Sequence, residues 1–279
     1  MHDHTNPQGY LQEEFRFFRL KDRRAQSFDY HYHDFDKVIF FLSGQVTYLV
    51  EGRSYFLAPG DALLIPHHQI HYPIIDGSVP YERLILWLSP TFLAQNQVDD
   101  CFRTAAETGF GLLRTRQSVR GEWMSLIQRL ESCATDRGFG HALLERTYCL
   151  QLLVALNRAA LGERAQPSDA NSKTDPKIEE MLHYINGNLG ADLSVSALSR
   201  QFFLSPSYLM HRFKEVTGCT VHQYILQKRL ISAAAQIQRG VPVARAAAES
   251  GFQDYSAFLR AFQRAYRVSP RELKGRGVP

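Results

Sequence analysis

The sequence has only four cysteines among 279 residues, and they lie far apart without a CxxC pair. This spacing excludes a zinc finger and a dense disulfide framework, and it favours a protein with reduced thiols. No apolar run reaches the length that spans a bilayer, and the N-terminus lacks a signal-peptide pattern. No Ser/His/Asp or Cys/His spacing indicates a catalytic triad. We therefore predict a cytoplasmic protein that is not an enzyme and has no membrane partner.

Charge is unevenly distributed along the chain. Residues 176–279 hold 14 lysines and arginines against 7 acidic residues, whereas the rest holds 18 against 21. A basic half is typical of a phosphate-binding module beside a domain with another task. The small, polar stretch at residues 166–175 has the composition of a linker. We predict a ligand-sensing and dimerisation domain at 1–165, a linker at 166–175 and a DNA-binding domain at 176–279.

The N-terminal half combines short β-type segments with turn signals. Predicted strands include residues 37–42, 45–50, 54–57, 62–65 and 81–88, with a hairpin at Ser43 and Gly44. Strands at this spacing predict a sandwich or barrel. Residues 122–135 and 141–161 then carry apolar side chains at helical intervals. These two helices either pack on the β-structure or pair with a second subunit.

Beyond Pro176 the pattern is helical. Helices are predicted at residues 177–189, 195–202, 206–216, 221–239 and 243–250, and one more follows a tight turn at Gly251. Ser194 and Ser205 are suitable N-caps, and Gly218 ends the third helix. The order predicts two helix-turn-helix units joined by a long helix, which makes this half all-α.

Each predicted recognition helix has a core side and an outer side. Leu209 and Phe213 anchor the first, and Phe258 and Phe262 anchor the second. The opposite sides carry basic and hydrogen-bonding groups, which is chemistry suited to a DNA major groove. A DNA-binding regulator is therefore the leading hypothesis from the residues alone.

Further motifs make the C-terminal pattern more specific. They comprise LSRQFFLSPSYLMHRFK at 198–214, then Tyr224, Arg229, Leu230 and Ala233, then Gly251, Phe252, Ser256, Phe258, Arg260, Phe262, Ser269 and Pro270. Over residues 176–276 this set resembles the AraC/XylS family of bacterial transcription regulators. The resemblance implies promoter DNA, RNA polymerase and a small-molecule effector as partners, a homodimer, and a regulator that is usually an activator.

The resemblance also implies DNA-contacting residues. Expected base contacts are Ser207, Met210 and His211 in the first unit and Tyr255, Ser256, Leu259 and Arg260 in the second. Expected phosphate contacts are Arg212, Lys214, Arg229 and Arg264. Arg260 is the strongest candidate because an arginine can bind guanine O6 and N7 together. Two positions depart from the family: His211 stands where arginine is frequent, and Arg267 stands where glycine is usual.

A second resemblance lies in the N-terminal half. His31, His33 and Lys37 would share one face of an alternating strand that is followed by Gly44, and Pro59 to Pro66 followed by His71 resembles the second half of a cupin signature. The resemblance implies a cupin-like barrel in which His31, His33 and His71 match metal ligands while Lys37 replaces a glutamate. A lysine cannot ligate when protonated and it repels a cation.

We therefore assign no metal and no cofactor, and we predict that His31, His33, Lys37 and His71 bind an organic effector, such as a carbohydrate or related metabolite. A zinc site on the three imidazoles and a purely structural cluster are the alternatives at these residues. For the whole chain, the alternatives are a metal-dependent cupin enzyme with an accessory helical domain and a non-specific architectural nucleic-acid-binding protein.

Overall fold

The computed structural model describes residues 11, 13–22, 31–115, 117–135, 138–162, 172–173 and 175–275. The chain divides into two compact units, Met1–Lys173 and Thr174–Pro279. Within the described ranges, no helix is both long and apolar enough to cross a membrane.

The described residues of the first unit are built on two antiparallel sheets. The five-stranded sheet has the order β1 (Phe15–Asp22), β7 (Tyr81–Leu88), β2 (Asp36–Ser43), β5 (Ala62–Ile65) and β8 (Leu112–Leu113). The four-stranded sheet has the order β6 (His71–Ile75), β3 (Val46–Val50), β4 (Arg53–Phe56) and β9 (Ser172–Lys173). The two sheets contribute to one shared apolar core.

Side-chain alternation along β2 separates two cores. Ile39 and Phe41 lie in the core that the two sheets share. Val38 and Phe40 lie in a second core on the other face of the five-stranded sheet. Because successive strand residues point to opposite faces, β2 contributes to both cores at once.

In the described part of the first unit, four helices also contribute to the second core. They are α1 (Pro90–Gln95), α2 (Asp100–Thr108), α3 (Gln117–Thr135) and α4 (His141–Leu161). The apolar residues predicted on one face of α3, including Trp123 and Ile127, are buried there, as is Leu152 of α4. One side of the α3–α4 pair therefore packs on the five-stranded sheet.

A glycine is required at the hairpin predicted between residues 42 and 45. Gly44 has φ +113°, and a Cβ there would lie 2.8 Å from the Cα of Tyr81. A larger residue would combine an unfavourable backbone conformation with a backbone clash. The predicted hairpin is wrong, because β2 and β3 do not pair: they lie in different sheets, and this turn carries the chain from one sheet to the other.

Seven helices form the described part of the second unit. They are α5 (Pro176–Gly187), α6 (Val195–Gln201), α7 (Pro206–Thr217), α8 (Val221–Gln238), α9 (Val243–Glu249), α10 (Tyr255–Tyr266) and α11 (Pro270–Gly275). The helix pairs α6–α7 and α9–α10 are the two predicted helix-turn-helix units, and α8 connects them. The predicted fold class, a β-rich sensor domain followed by an all-α domain, is confirmed.

The structure corrects the strand predicted around His31 and His33. β2 begins only at Asp36, and His31 forms an isolated antiparallel bridge with His71. The two histidines therefore precede the strand that carries Lys37 and lie in an irregular segment. This segment is held by the bridge from His31 to His71, 40 residues along the chain.

The predicted linker cannot be followed along its whole length. Residues 166–171 and 174 lie outside the described residues, while Ser172–Lys173 pair with β4 as β9. The domain limits at 165 and 176 stay a prediction.

Candidate nucleic-acid interface and effector site

The first recognition helix, α7, is anchored by its apolar residues. Ser205 caps it by accepting a hydrogen bond from the backbone N–H of Tyr208 at 3.3 Å, and Pro206 occupies the first turn. Leu209 and Phe213 are fully buried one turn apart, which confirms the predicted core face. This arrangement leaves Ser207, Met210, His211 and Lys214 exposed on the rest of the helix surface.

The second recognition helix, α10, follows the same design. The Asp254 carboxylate accepts hydrogen bonds from the backbone N–H groups of Ser256 and Ala257 at 2.8 and 3.2 Å. Phe258 and Phe262 are fully buried, as predicted. The residues left exposed on α10 include Tyr255, Ser256, Arg260 and Arg264, whereas Leu259 is half-buried against the core.

Two predicted phosphate contacts have partners inside the unit. The Nε of Arg212 donates to Asp175 Oδ2 at 2.6 Å, and its Nη1 donates to Glu215 Oε2 at 2.8 Å. Arg229 on α8 donates from Nε to the Leu189 carbonyl and from Nη2 to the Ala191 carbonyl, each at 2.9 Å. Phosphate binding by Arg212 and Arg229 stays a prediction. The structure gives both side chains a stabilising role that sequence analysis did not assign.

The turn between α9 and α10 lies against Leu189 and Arg229. Gly251 has φ +89°, and a Cβ at this position would lie 2.2 Å from the Leu189 carbonyl oxygen and 2.8 Å from Arg229 Nε. The turn of the second helix-turn-helix unit therefore packs closely on α8 and on the loop after α5. This packing requires glycine at 251.

In the first unit, the structure brings the three predicted histidines together. The ring centroids are 4.5 Å apart for His31 and His71, 5.0 Å for His31 and His33, and 5.2 Å for His33 and His71. His33 and His71 are buried and His31 is half-buried. One ring nitrogen from each lies within 4.8 Å of the other two.

The surroundings of this cluster keep its buried imidazoles neutral. Burial, together with the charge of Lys37, holds the pKa of both His33 and His71 well below the usual range. Lys37 is itself buried, and burial with the nearby charge of Arg83 lowers its pKa to about 7. In the β2–β7 pairing Lys37 lies directly opposite Trp87, so it projects from the same face as Trp87.

Sequence analysis missed a second polar group inside the first unit. The hydroxyl groups of Tyr48 and Tyr81 are 2.9 Å apart, and the Arg83 guanidinium lies 4.2 Å from the centre of the Tyr81 ring. Arg83 Nη1 donates to Asp22 Oδ2 at 2.5 Å. The available signal was Arg83, a charged residue directly before the apolar run from Leu84 to Leu88 in the predicted strand. Like Lys37, the side chains of Tyr48, Tyr81 and Arg83 are buried in the first unit.

Two family comparisons cover most of the chain. Residues 198–276 match the family described as a helix-turn-helix domain. Residues 17–153 match the family described as the AraC-like ligand binding domain. The chain belongs to the AraC family. It is thus a DNA-binding transcription regulator with an N-terminal ligand-binding domain. The two matches favour the regulator hypothesis over a cupin enzyme or an architectural protein.

Individual relatives are more distant. The HTH-type transcriptional activator RhaS of Salmonella typhimurium (strain LT2) is 25% identical over 252 residues, which cover 89% of this chain and 88% of RhaS. A structure of ToxT from Vibrio cholerae covers 96% of this chain and all of its own, at 11% identity and a TM-score of 0.37. The C-terminal domain of AraT from Geobacillus stearothermophilus covers 38% of this chain and 89% of its own, at 23% identity and a TM-score of 0.36.

Proposed function

We propose that this AraC-family regulator recognises a specific promoter sequence through α7 and α10, under the control of a small molecule bound in its N-terminal unit. The observation that carries the proposal is the shared design of the two helices. Each is capped at its N-terminus, held by two buried apolar residues, and exposed along a side that carries polar and basic groups.

The exposed residues suggest a division of roles on DNA. Arg260 is the principal base-contacting residue of α10, because a guanidinium can bind both acceptors of guanine in the major groove. The other proposed base contacts are Ser207, Met210, His211, Tyr255, Ser256 and Leu259. Lys214 and Arg264 are exposed basic groups suited to phosphate, which contributes affinity without sequence information.

The direction of regulation is proposed as activation through RNA polymerase. RhaS is named an activator, and its match covers most of both chains. We propose a carbohydrate or a related metabolite as the effector. The buried hydrogen-bonding groups of Lys37, Tyr48, Tyr81 and Arg83 support an oxygen-rich ligand of this class.

We propose further that the regulator is a homodimer formed through α4. Leu143, Val154 and Leu161 are 69%, 39% and 52% exposed. Val154 comes three helical turns after Leu143, and Leu161 two turns after Val154, so the three side chains share one side of the helix. A solvent-exposed apolar row of this kind supports pairing with the same row of a second chain.

The decisive experiment begins with genome-wide mapping of the DNA that the full-length protein binds. A duplex from the mapped set is then titrated beside a scrambled duplex of equal length, at stated salt. We expect Arg260→Ala to lose about 1–3 kcal/mol of binding free energy on the mapped duplex and to relax the preference at one base pair.

Arg264→Ala serves as the matched variant, because it removes the same charge one turn away. We expect it to weaken binding to all duplexes alike and to reduce the salt dependence by about one phosphate contact. Equal affinity of the wild-type protein for mapped and scrambled duplexes, with and without trial sugars, would refute sequence-specific binding.

A further inference from the structure

The buried histidine cluster has polar atoms whose partners the described residues do not supply. Both ring nitrogens of His33 are buried without a hydrogen-bond partner among the described residues, and so is Nε2 of His71. Buried polar groups in folded proteins are nearly always paired, and each exception needs an explanation. Three such atoms in one cluster of rings indicate that something else binds there.

The orientation of His71 is fixed by a hydrogen bond. Its Nδ1 lies 2.9 Å from the carbonyl oxygen of Gln69, and a carbonyl can only accept, so Nδ1 carries the proton. Nε2 of His71 then holds a lone pair directed away from that carbonyl. Imidazoles that bind metals commonly have their second nitrogen fixed in this way.

The chain also holds the cluster together independently of any ligand. The backbone N–H of His31 donates to the His71 carbonyl at 3.1 Å, and the N–H of His71 donates to the His31 carbonyl at 2.9 Å. The His33 ring stacks on Phe35 with a centroid separation of 4.4 Å and an interplanar angle of 12°. The three donors are therefore positioned by backbone and packing contacts.

We propose that His31, His33 and His71 bind one divalent transition-metal ion, and that a small carboxylate anion facing Lys37 completes its coordination. Zinc binds imidazole nitrogen at about 2.0–2.1 Å, which places two ligands of a tetrahedral ion roughly 3.3 Å apart. The donor nitrogens are within 4.8 Å of one another, so small side-chain rotations bring them onto a common ion.

The net charge of the site explains the anion. Three neutral imidazoles leave the ion's two positive charges uncompensated. Lys37 is buried close by, because it lies opposite Trp87, whose ring centroid is 6.1 Å from that of His33. Positive charge in a buried site is unfavourable unless a negative group balances it. Three protein ligands leave a tetrahedral ion one open position, which a carboxylate oxygen can occupy.

This inference deepens the proposed function, because it specifies a carboxylate-bearing metabolite, such as a sugar acid, as the effector class. Metal binding itself does not depend on DNA recognition. Loss of one with retention of the other therefore distinguishes failure of the metal proposal from failure of the proposed regulatory function.

The experiment uses full-length protein in which His2 and His4 are replaced by glutamine, since an N-terminal pair of histidines binds metal adventitiously. The metal-free protein is titrated with Zn²⁺ against a chromophoric chelator, with and without acetate as the anion probe. We expect one Zn²⁺ per chain and tighter binding in acetate. His31→Asn should weaken Zn²⁺ binding at least about 100-fold, while the control His68→Asn should change it less than about twofold.

Lys37→Met tests the anion. Removing the ammonium should tighten Zn²⁺ binding about tenfold in the absence of acetate, and acetate should then have no further effect. Near-ultraviolet circular dichroism verifies that each variant is folded.

A fluorescence measurement tests the site without altering its ligands. Trp87 has its ring centroid 6.1 Å from that of His33, whereas Trp123 lies in the core on the other face of the sheet. Co²⁺ should quench Trp123→Phe, which retains Trp87, more strongly than Trp87→Phe. The metal site is refuted if Zn²⁺ binds wild type and His31→Asn equally, or if Co²⁺ quenches neither tryptophan variant at one equivalent. The anion is refuted if acetate has the same effect on wild type and Lys37→Met.

Discussion

Asp36 and His67 form an ionisable pair beside the turn that follows β5. The Asp36 carboxylate is buried and accepts hydrogen bonds from the backbone N–H of His67 at 2.9 Å and from its Nδ1 at 3.0 Å. Burial lowers the pKa of His67, but the hydrogen bond and charge of Asp36 outweigh this effect and raise its pKa overall. Asp34 also acts on His67, and burial raises the pKa of Asp34 to about 6.

The raised pKa of His67 makes the stability of the folded protein depend on pH. Because the folded-state pKa of His67 is raised, its stabilisation is fully present below the unfolded-state value near pH 6.5 and disappears as the pH rises through the folded-state value. We expect the free energy of unfolding of wild type to exceed that of His67→Asn by about 0.5–1 kcal/mol in acid and by much less at about pH 8.5. The effect is small because the imidazole is partly exposed.

Thermal denaturation of both proteins across this pH range measures the effect. The difference should lose its pH dependence when Asp36 is also replaced by asparagine. A stability difference that grows with pH would contradict the assigned pair.

The end of α10 shows an unusual backbone conformation for an arginine. Arg267 has φ +58°, and its N–H closes the helix on the Gln263 carbonyl at 2.9 Å. The left-handed conformation expected where the family usually has glycine is thus retained with a bulkier residue. Such a conformation costs a non-glycine residue about 1–2 kcal/mol.

We therefore expect Arg267→Gly to raise the free energy of unfolding by about 1 kcal/mol. Arg239→Gly is the matched control, because Arg239 ends α8 with φ −75° and has no such strain to relieve. Chemical denaturation of both variants provides the comparison. Equal effects at the two positions would show that the left-handed conformation is not responsible.

A second prediction about the helices concerns the packing between α8 and the α9–α10 turn. Gly251→Ala introduces a methyl group 2.2 Å from the Leu189 carbonyl oxygen at φ +89°. We expect a loss of about 2 kcal/mol or more in unfolding free energy, because both strain and the displaced Arg229 contacts contribute.

Gly187→Ala is the control for this variant. Gly187 lies within α5, and a Cβ there meets nothing within 4 Å. Because Gly187 is the last residue of α5, alanine should raise the free energy of unfolding by no more than about 0.5 kcal/mol. The same denaturation experiment gives both values, and a loss of stability in both variants would point to a general effect of the added methyl group.

The elements that sequence analysis placed correctly have strong local signals. Residues 62–65, 81–88 and 141–161 match β5, β7 and α4 because turn residues or continuous periodicity mark their limits. The short helices α1 and α2 were missed because six to nine residues carry little periodic pattern. α3 begins five residues before its predicted start at 122.

Contacts between residues that are far apart in the chain could not be predicted from the sequence. The approach of His31 and His33 to His71 requires a bridge between segments 40 residues apart. The carbonyl partners of Arg229 are likewise set by the packing of α8 on the loop after α5. In both cases the sequence indicated that the residues are functional candidates, but it could not indicate which groups they contact.

At the scale of the whole molecule, the proposed dimer makes a testable claim about the exposed row on α4. We expect Val154→Glu to convert the protein from dimer to monomer while its unfolding transition is retained, since the side chain is partly exposed. DNA affinity should fall with it, because two linked DNA-binding domains gain from an effective local concentration. Light scattering after size-exclusion chromatography measures the mass.

Ile74→Glu is the matched substitution on another surface of the same unit, where Ile74 in β6 is 53% exposed. It should leave both mass and DNA affinity unchanged. A dimer that persists in Val154→Glu would place the subunit contact elsewhere.

The two faces of β2 have a mechanical consequence for signalling. Lys37 lies opposite Trp87 on one face of the sheet, and its neighbour Val38 packs on the other face in the core that contains α3 and α4. Phe40 continues that contact, with its ring centroid 6.3 Å from that of Trp123. If an effector binds Lys37 as proposed, it acts on the same strand whose opposite face packs against α3.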